Sequence, residues 1–155
     1  MKILSLLMIP FIAITFVSCD DEKEGCMDPI SLNYDEKAEK DNGTCQYAGP
    51  NGTTEIVFFP KQGSVNITST SSYQDTAYLK WNTTEFPGIN PANYDVVKAG
   101  DVSENHIHFL NMKTGKYYIY MTGWNHITNK RVSGGTTVTV TQSSGTINYD
   151  VQMTD

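Results

Sequence analysis

The chain is poor in the features that mark enzymes and nucleic-acid binders. It carries 11 Lys and Arg against 17 Asp and Glu, and no basic run exceeds Lys130-Arg131. A patch able to displace counterions from a phosphate backbone is therefore missing, which argues against nucleic acid as a partner. There is no Gly-x-Ser-x-Gly elbow and no Gly-rich phosphate loop. The carboxylates Glu55, Asp75, Glu85, Asp95, Asp101 and Glu104 show no signature that pairs two of them for acid–base work, so the expectation is a non-catalytic protein. From Thr53 onward helical periodicity longer than a turn is also lacking. Long apolar runs are limited to one, Ile3 to Val17, broken by Ser5, Pro10 and Thr15. It falls short of the roughly 20 apolar residues of a transmembrane helix, and Pro10 weakens it further. Cysteine is scarce: Cys19, Cys26 and Cys45 form an odd set, which in an exported chain leaves one thiol over.

Lys2 followed by the apolar run has the form of an export signal, with an uncleaved anchor as the alternative reading. The run ends in Phe16-Val17-Ser18-Cys19, which resembles the lipobox of bacterial exported lipoproteins, with Phe16 where most carry Leu. The resemblance implies removal of residues 1–18 and lipid attachment at Cys19. It also implies a location in the outer membrane held by that anchor. With Cys19 consumed by a thioether, Cys26 and Cys45 are left as the intrachain disulfide pair, which the oxidising compartment suits. Residues 20–46 hold nine acidic and three basic residues, so most of the net charge of -6 is concentrated near the anchor. The acids Asp20, Asp21, Glu22 and Glu24 resemble surface-export signals of some Gram-negative lipoproteins; a solvated spacer is the alternative. Residues 19–25 are expected to form a flexible acidic tether.

Residues 26–47 follow as a cysteine-bounded unit. Gly25, Cys26, Asp28, Pro29, Asn33, Tyr34, Ala38, Asp41, Asn42, Gly43, Thr44 and Cys45 resemble a short motif of exported bacterial proteins, and Ser31 stands where a small apolar residue is usual. Closing such a loop removes about 3 kcal/mol of unfolded-chain entropy, which a segment with little to bury needs. Ile30, Leu32 and Tyr34 alternate and are expected to pack on the bridge. The oxygen-bearing Asp28, Asn33, Asp35, Asp41 and Asn42 raise calcium as a ligand; turn capping is the competing role. Ala48-Gly49-Pro50-Asn51-Gly52 reads as a linker.

Residues 53–155 read as short strands between turn signals, at 54–59, 63–69, 75–81, 93–98, 105–110, 116–122, 135–141 and 145–153. Seven or eight strands in such a span predict a mainly β domain, an antiparallel β-sandwich. Ile107, Phe109, Met112, Gly115, Tyr117 and Ile119 fall in the register of a strand-turn-strand that resembles transthyretin-like sandwiches, such as carboxypeptidase-regulatory-like domains. That resemblance implies a positive φ at Gly115 and core positions for Phe109 and Tyr117. An immunoglobulin-like sandwich is the alternative.

His106 and His108 share a strand face with Glu104, either as metal ligands or as ordinary exposed histidines. Aromatic residues are the other lead. Trp124, Tyr118 and Tyr120 are candidates to stack on sugar rings or anchor peptides, against core packing as the plainer role for Trp81 and Trp124. Asp75-Thr76-Ala77 also resembles a short O-glycosylation sequon of Gram-negative exported proteins. The function expected is a binding or interaction module with a glycan or protein partner at the cell surface; a structural envelope or adhesion component is the alternative.

Overall fold

A computed structural model describes residues 21–155; Cys19, the lipobox and the signal segment lie outside the described residues. Among the described residues no helix is long and apolar enough to cross a membrane.

The described residues form ten strands: β1 (Glu24–Gly25), β2 (Lys40–Asp41), β3 (Pro50–Gln62), β4 (Val65–Asn66), β5 (Thr76–Trp81), β6 (Val96–Ala99), β7 (Ile107–Met112), β8 (Gly115–Asn125), β9 (Lys130–Val140) and β10 (Gly145–Gln152). One sheet is centred on β3, with β10 on one side and β7 and β4 sharing the other; the second runs β6-β5-β8-β9. Both lay down alternating apolar residues, as period-two strands with one buried face must. Ile56 and Phe58 of β3, Leu79 of β5, Tyr117, Ile119 and Met121 of β8, and Val138 and Val140 of β9 meet in one core. The fold is thus the expected β-sandwich. Within the two large sheets one pairing departs from the antiparallel expectation: β3 and β10 run parallel, with Ile56 opposite Ile147.

Strand limits depart from the expected ones where local breakers are overruled by packing. Gly134-Gly135 lies inside β9 instead of before it. A Cβ on Gly134 would stand 1.9 Å from the Gln152 carbonyl oxygen, so the glycine lets β9 touch the end of β10. There Ser133 and Thr154 form an isolated bridge that joins the two sheets at a corner. The expected strand 63–69 shrinks to Val65–Asn66, because Gly63 (φ +60°) turns the chain straight back onto β3. Pro60, which lacks an N–H, sits where the neighbour of β3 changes from β7 to β4.

The expected linker 48–52 is instead part of the sandwich. Pro50–Gly52 open β3, and Ala48 is buried in the core. Asn82 grips Ala48 from both sides, its Oδ1 accepting the Ala48 N–H (2.8 Å) and its Nδ2 donating to the Ala48 carbonyl (3.3 Å). Tyr117 Oη accepts from the Gly49 N–H (3.1 Å) and donates to the Lys113 carbonyl (2.6 Å). A buried tyrosine at the head of a strand bonding backbone four residues upstream is the tyrosine-corner arrangement of Greek-key sandwiches.

The small unit before it is held by the disulfide Cys26–Cys45, with Cα atoms 5.0 Å apart. The stretch 23–25, expected as tether, belongs to this unit: Glu24–Gly25 pairs with Lys40–Asp41, and the Lys23 carbonyl accepts the Glu39 N–H. The packing expected of Ile30, Leu32 and Tyr34 is not what forms. Tyr34 is exposed, and Ser31 is the fully buried residue, because the segment is a series of turns without strand alternation. The Ser31 hydroxyl donates to the Asp28 carbonyl and lies 2.9 Å from Cys26 Sγ, a site with room for a small side chain alone.

Gly115 carries the expected positive φ, at +148°, and Phe109 and Tyr117 are buried. A Cβ at 115 would also lie 2.4 Å from the Ala48 nitrogen, whereas one at Gly63 would meet nothing within 4 Å. Gly115→Ala should therefore lose about 2–4 kcal/mol in urea denaturation, strain and overlap combined. Gly63→Ala should lose about 1 kcal/mol, backbone strain alone. Equal losses would mean that the contact with Ala48 is unimportant.

Candidate ligand-binding face

Because Ala77, Leu79, Tyr117, Ile119 and Met121 turn inward, alternation forces Tyr78, Tyr118 and Tyr120 onto the outer face of the β8 sheet. The register places Tyr78 directly opposite Tyr120, with ring centroids 5.7 Å apart. Two further rings arrive from the β5–β6 connection. Tyr94 follows a 3-10 turn (Pro91–Asn93) capped by Asn90, whose side chain accepts the Ala92 N–H. Its ring lies 5.5 Å from Tyr78 and 6.3 Å from Tyr120, and its hydroxyl donates to the Gly88 carbonyl. Phe86, half exposed, lies 5.3 Å from Tyr120 and 5.8 Å from Tyr118. Gly135 makes this layer possible, since a Cβ there would come within 2.9 Å of the Tyr118 hydroxyl.

At the far end of β8, Trp124 stacks on Tyr73 with centroids 4.4 Å apart and planes 11° from parallel. Tyr73, Tyr78, Tyr120 and Trp124 line a groove of about 440 Å³, with Gln74, Thr76 and Arg131 adding hydrogen-bonding groups. That size is within the range of small-molecule sites. Asp155, also at the rim, is ion-paired with Lys130, whose hydrogen bond holds its carboxyl below the usual range. Burial, then the neighbouring tyrosines, pushes Tyr94 up to about 12, and burial followed by Tyr120 raises Tyr118. Both hydroxyls are therefore neutral hydrogen-bonding groups at physiological pH.

Of the three aromatic candidates, Tyr120 and Trp124 border the groove, and Tyr118 lies one pair further along the same face, beside Phe86. Sequence reasoning missed Tyr73, Tyr78, Tyr94 and Phe86. The alternation Thr76-Tyr78-Lys80 could have pointed to Tyr78; Tyr73, Tyr94 and Phe86 reach the face from irregular segments that carry no such signal. Trp81 packs against the core. Thr76 of the sequon-like tripeptide lines the groove, and Asp75 is buried beside it.

The calcium candidates are each engaged locally. Asp28 accepts from the Ile30 N–H and the Tyr47 hydroxyl, and Asn33 bridges Thr44 and Gln46. Asp35 accepts from the Lys37 N–H and pairs with Lys23 at 2.6 Å. Asp41 accepts from the Gly43 N–H, and Asn42 from Thr44. Among the described residues Asp28, Asp35 and Asp41 do not gather into one cluster. Turn capping is thus the role these contacts give them.

No family model matches the chain, and no curated protein or solved structure does so either.

Asp75 sits beneath the groove. Its N–H donates to Ser69 Oγ and its carbonyl accepts from Gly100, which anchors the start of β5. Its side chain is 2% exposed, and Oδ1 meets no hydrogen-bond donor among the described residues. Burial raises its pKa from the ordinary 3.8 to about 6, with Ser69, His126 and Trp124 opposing. The folded state therefore binds more protons than the unfolded chain between about pH 4 and 6, and the associated stability is present below that window and lost as pH rises through it. That displacement corresponds to about 2–3 kcal/mol. Asp28, Asp35, Glu55 and Asp155 are shifted downward and contribute with the opposite sign. Subtracting the pH–stability curve of Asp75→Asn from that of the native protein should isolate a component that falls from about pH 4 to 6; a flat difference curve would show that Asp75 is ionised at no cost.

Proposed function

We propose that this protein is a non-catalytic binding module, exported and held at the outer membrane by lipid on Cys19, whose aromatic face takes an oligosaccharide. The observation that carries the reading is the stacked Tyr73–Trp124 pair, which shares a groove with the facing Tyr78–Tyr120 pair. Flat ring faces offer apolar area at low conformational cost, and Tyr and Trp add a polar handle at the edge. A sugar ring presents the complement: an apolar face of C–H groups and a girdle of hydroxyls. Gln74, Thr76 and Arg131 stand where such hydroxyls would need partners.

The anchor reading rests on the sequence up to Cys19, and the Cys26–Cys45 disulfide agrees with an oxidising compartment. Acyl chains stabilise membrane residence by about 0.8 kcal/mol per buried CH₂, and two or more chains make it lasting. Cys19→Ala should abolish lipid labelling and move the protein out of the membrane fraction. Retention in that fraction would overturn the anchor.

The chain has two tryptophans, so Trp81→Phe leaves Trp124 as a single fluorescent reporter on the face. Titration of that variant with an oligosaccharide panel should shift its emission for at least one class. Tyr120→Ala should then weaken binding tenfold or more, about 1.4 kcal/mol. No response across the panel would favour the structural role, a sandwich that packs against envelope partners without a small ligand.

A further inference from the structure

The outer face of the β3 sheet carries a different chemistry. Ile107 and Phe109 of β7 are buried in the core, so His106 and His108 project outward beside each other, with ring centroids 4.7 Å apart and planes at 68°. Glu104 stands in the turn that leads into β7, and its carbonyl accepts the Ser69 N–H at 3.0 Å, which pins the loop. We propose that Glu104, His106 and His108 form a binding site for a divalent transition metal, with zinc as the ion that suits the donor set. One ligand atom from each of the three lies within 4.8 Å of the others, and Glu104 Oε2 is 3.6 Å from His106 Nε2.

The second observation is how both rings are held. His108 Nδ1 lies 2.7 Å from Glu55 Oε1, and the other oxygen of Glu55 accepts the Thr146 hydroxyl at 2.6 Å. His106 Nδ1 lies 3.1 Å from Asn105 Oδ1, and its ring packs 5.2 Å from Phe59. In the tautomer that carries its proton on Nδ1, each ring directs that N–H at an oxygen acceptor and leaves Nε2 with its lone pair as the ligand atom. A carboxylate behind a metal-binding imidazole is the usual outer-shell support of such sites, fixing tautomer and orientation. Lys98 donates to the His108 carbonyl at 2.9 Å.

Two imidazoles and one carboxylate make three protein ligands, with solvent completing a tetrahedron. Nitrogen donors select zinc, copper or nickel over the hard cations calcium and magnesium. The site lies on the opposite sheet from the aromatic groove, so it stands whether or not that groove takes a sugar.

Chelator-treated full-length protein should bind one equivalent of Zn²⁺ in calorimetric titration and show no heat with Mg²⁺ or Ca²⁺. His106→Ala and His108→Ala should each abolish the binding, and Glu55→Gln should weaken it about 10- to 100-fold. A readout that needs no variant is the imidazole ¹⁵N spectrum of the native protein: Zn²⁺ should shift Nε2 of both His106 and His108 together. Absence of stoichiometric binding, retention of it in the doubly substituted protein, or shifts confined to His126 would each overturn the site.

Discussion

The hydroxyl of Tyr117 ties together three pieces of chain that would otherwise be free to separate. It accepts from Gly49, donates to Lys113, and belongs to a ring wholly buried between the sheets. Taken out of water, that hydroxyl would cost several kcal/mol if left without partners, so the ring can occupy the core only if residues 49 and 113 come to it. Gly115 is the counterpart of this constraint, since only a residue without Cβ lets the chain pass Ala48 closely enough to form the contact. The disulfide-bounded unit then stands close beside the sandwich, and Lys116 donates to the Pro29 carbonyl across the junction.

The position of Tyr117 also sets the outer face. In a strand a shift of one residue would exchange every side chain between faces, so fixing Tyr117 inward commits Tyr118 and Tyr120 outward along β8. The β5 register follows from the same strand and brings Tyr78 opposite Tyr120. The aromatic layer is part-exposed: Phe86 and Tyr73 are open to solvent, while Tyr94 is buried. The two sheets therefore present two surfaces of different character, rings on one and imidazoles with carboxylates on the other. Each is a by-product of the alternation that builds the core between them.

Much of this was readable from residue order. The Thr136–Thr141 alternation, the Ile147-Tyr149-Val151-Met153 series and the Phe109…Gly115…Tyr117 spacing all located strands, because side-chain direction in a strand is a local property. Tyr118 and Tyr120 were recognisable as an outward pair for that reason, and His106 with His108 as residues of one face. The errors came where a distant contact overrode a local signal. Gly134-Gly135 looks like a break but is the thin point where β9 meets β10. Gly49-Pro50 looks like a linker but is seized by Tyr117. Ser31 looks like a departure from a motif, yet it is the small buried residue beside the bridge.

The sequence by itself determined the strand periodicity, the β class and which side chains share a face, since these depend on neighbours one or two positions away. Only the tertiary structure decided which faces and loops meet. Tyr73 reaches Trp124, and Glu55 reaches both His108 and Thr146, across separations that no period spans. The parallel pairing of β3 with β10 belongs in the same group, because strand neighbours are chosen by the packing of the whole core and not by the pattern along either strand. The aromatic groove is built from such distant pairs, whereas Glu104, His106 and His108 are close in sequence and only their support by Glu55 comes from afar.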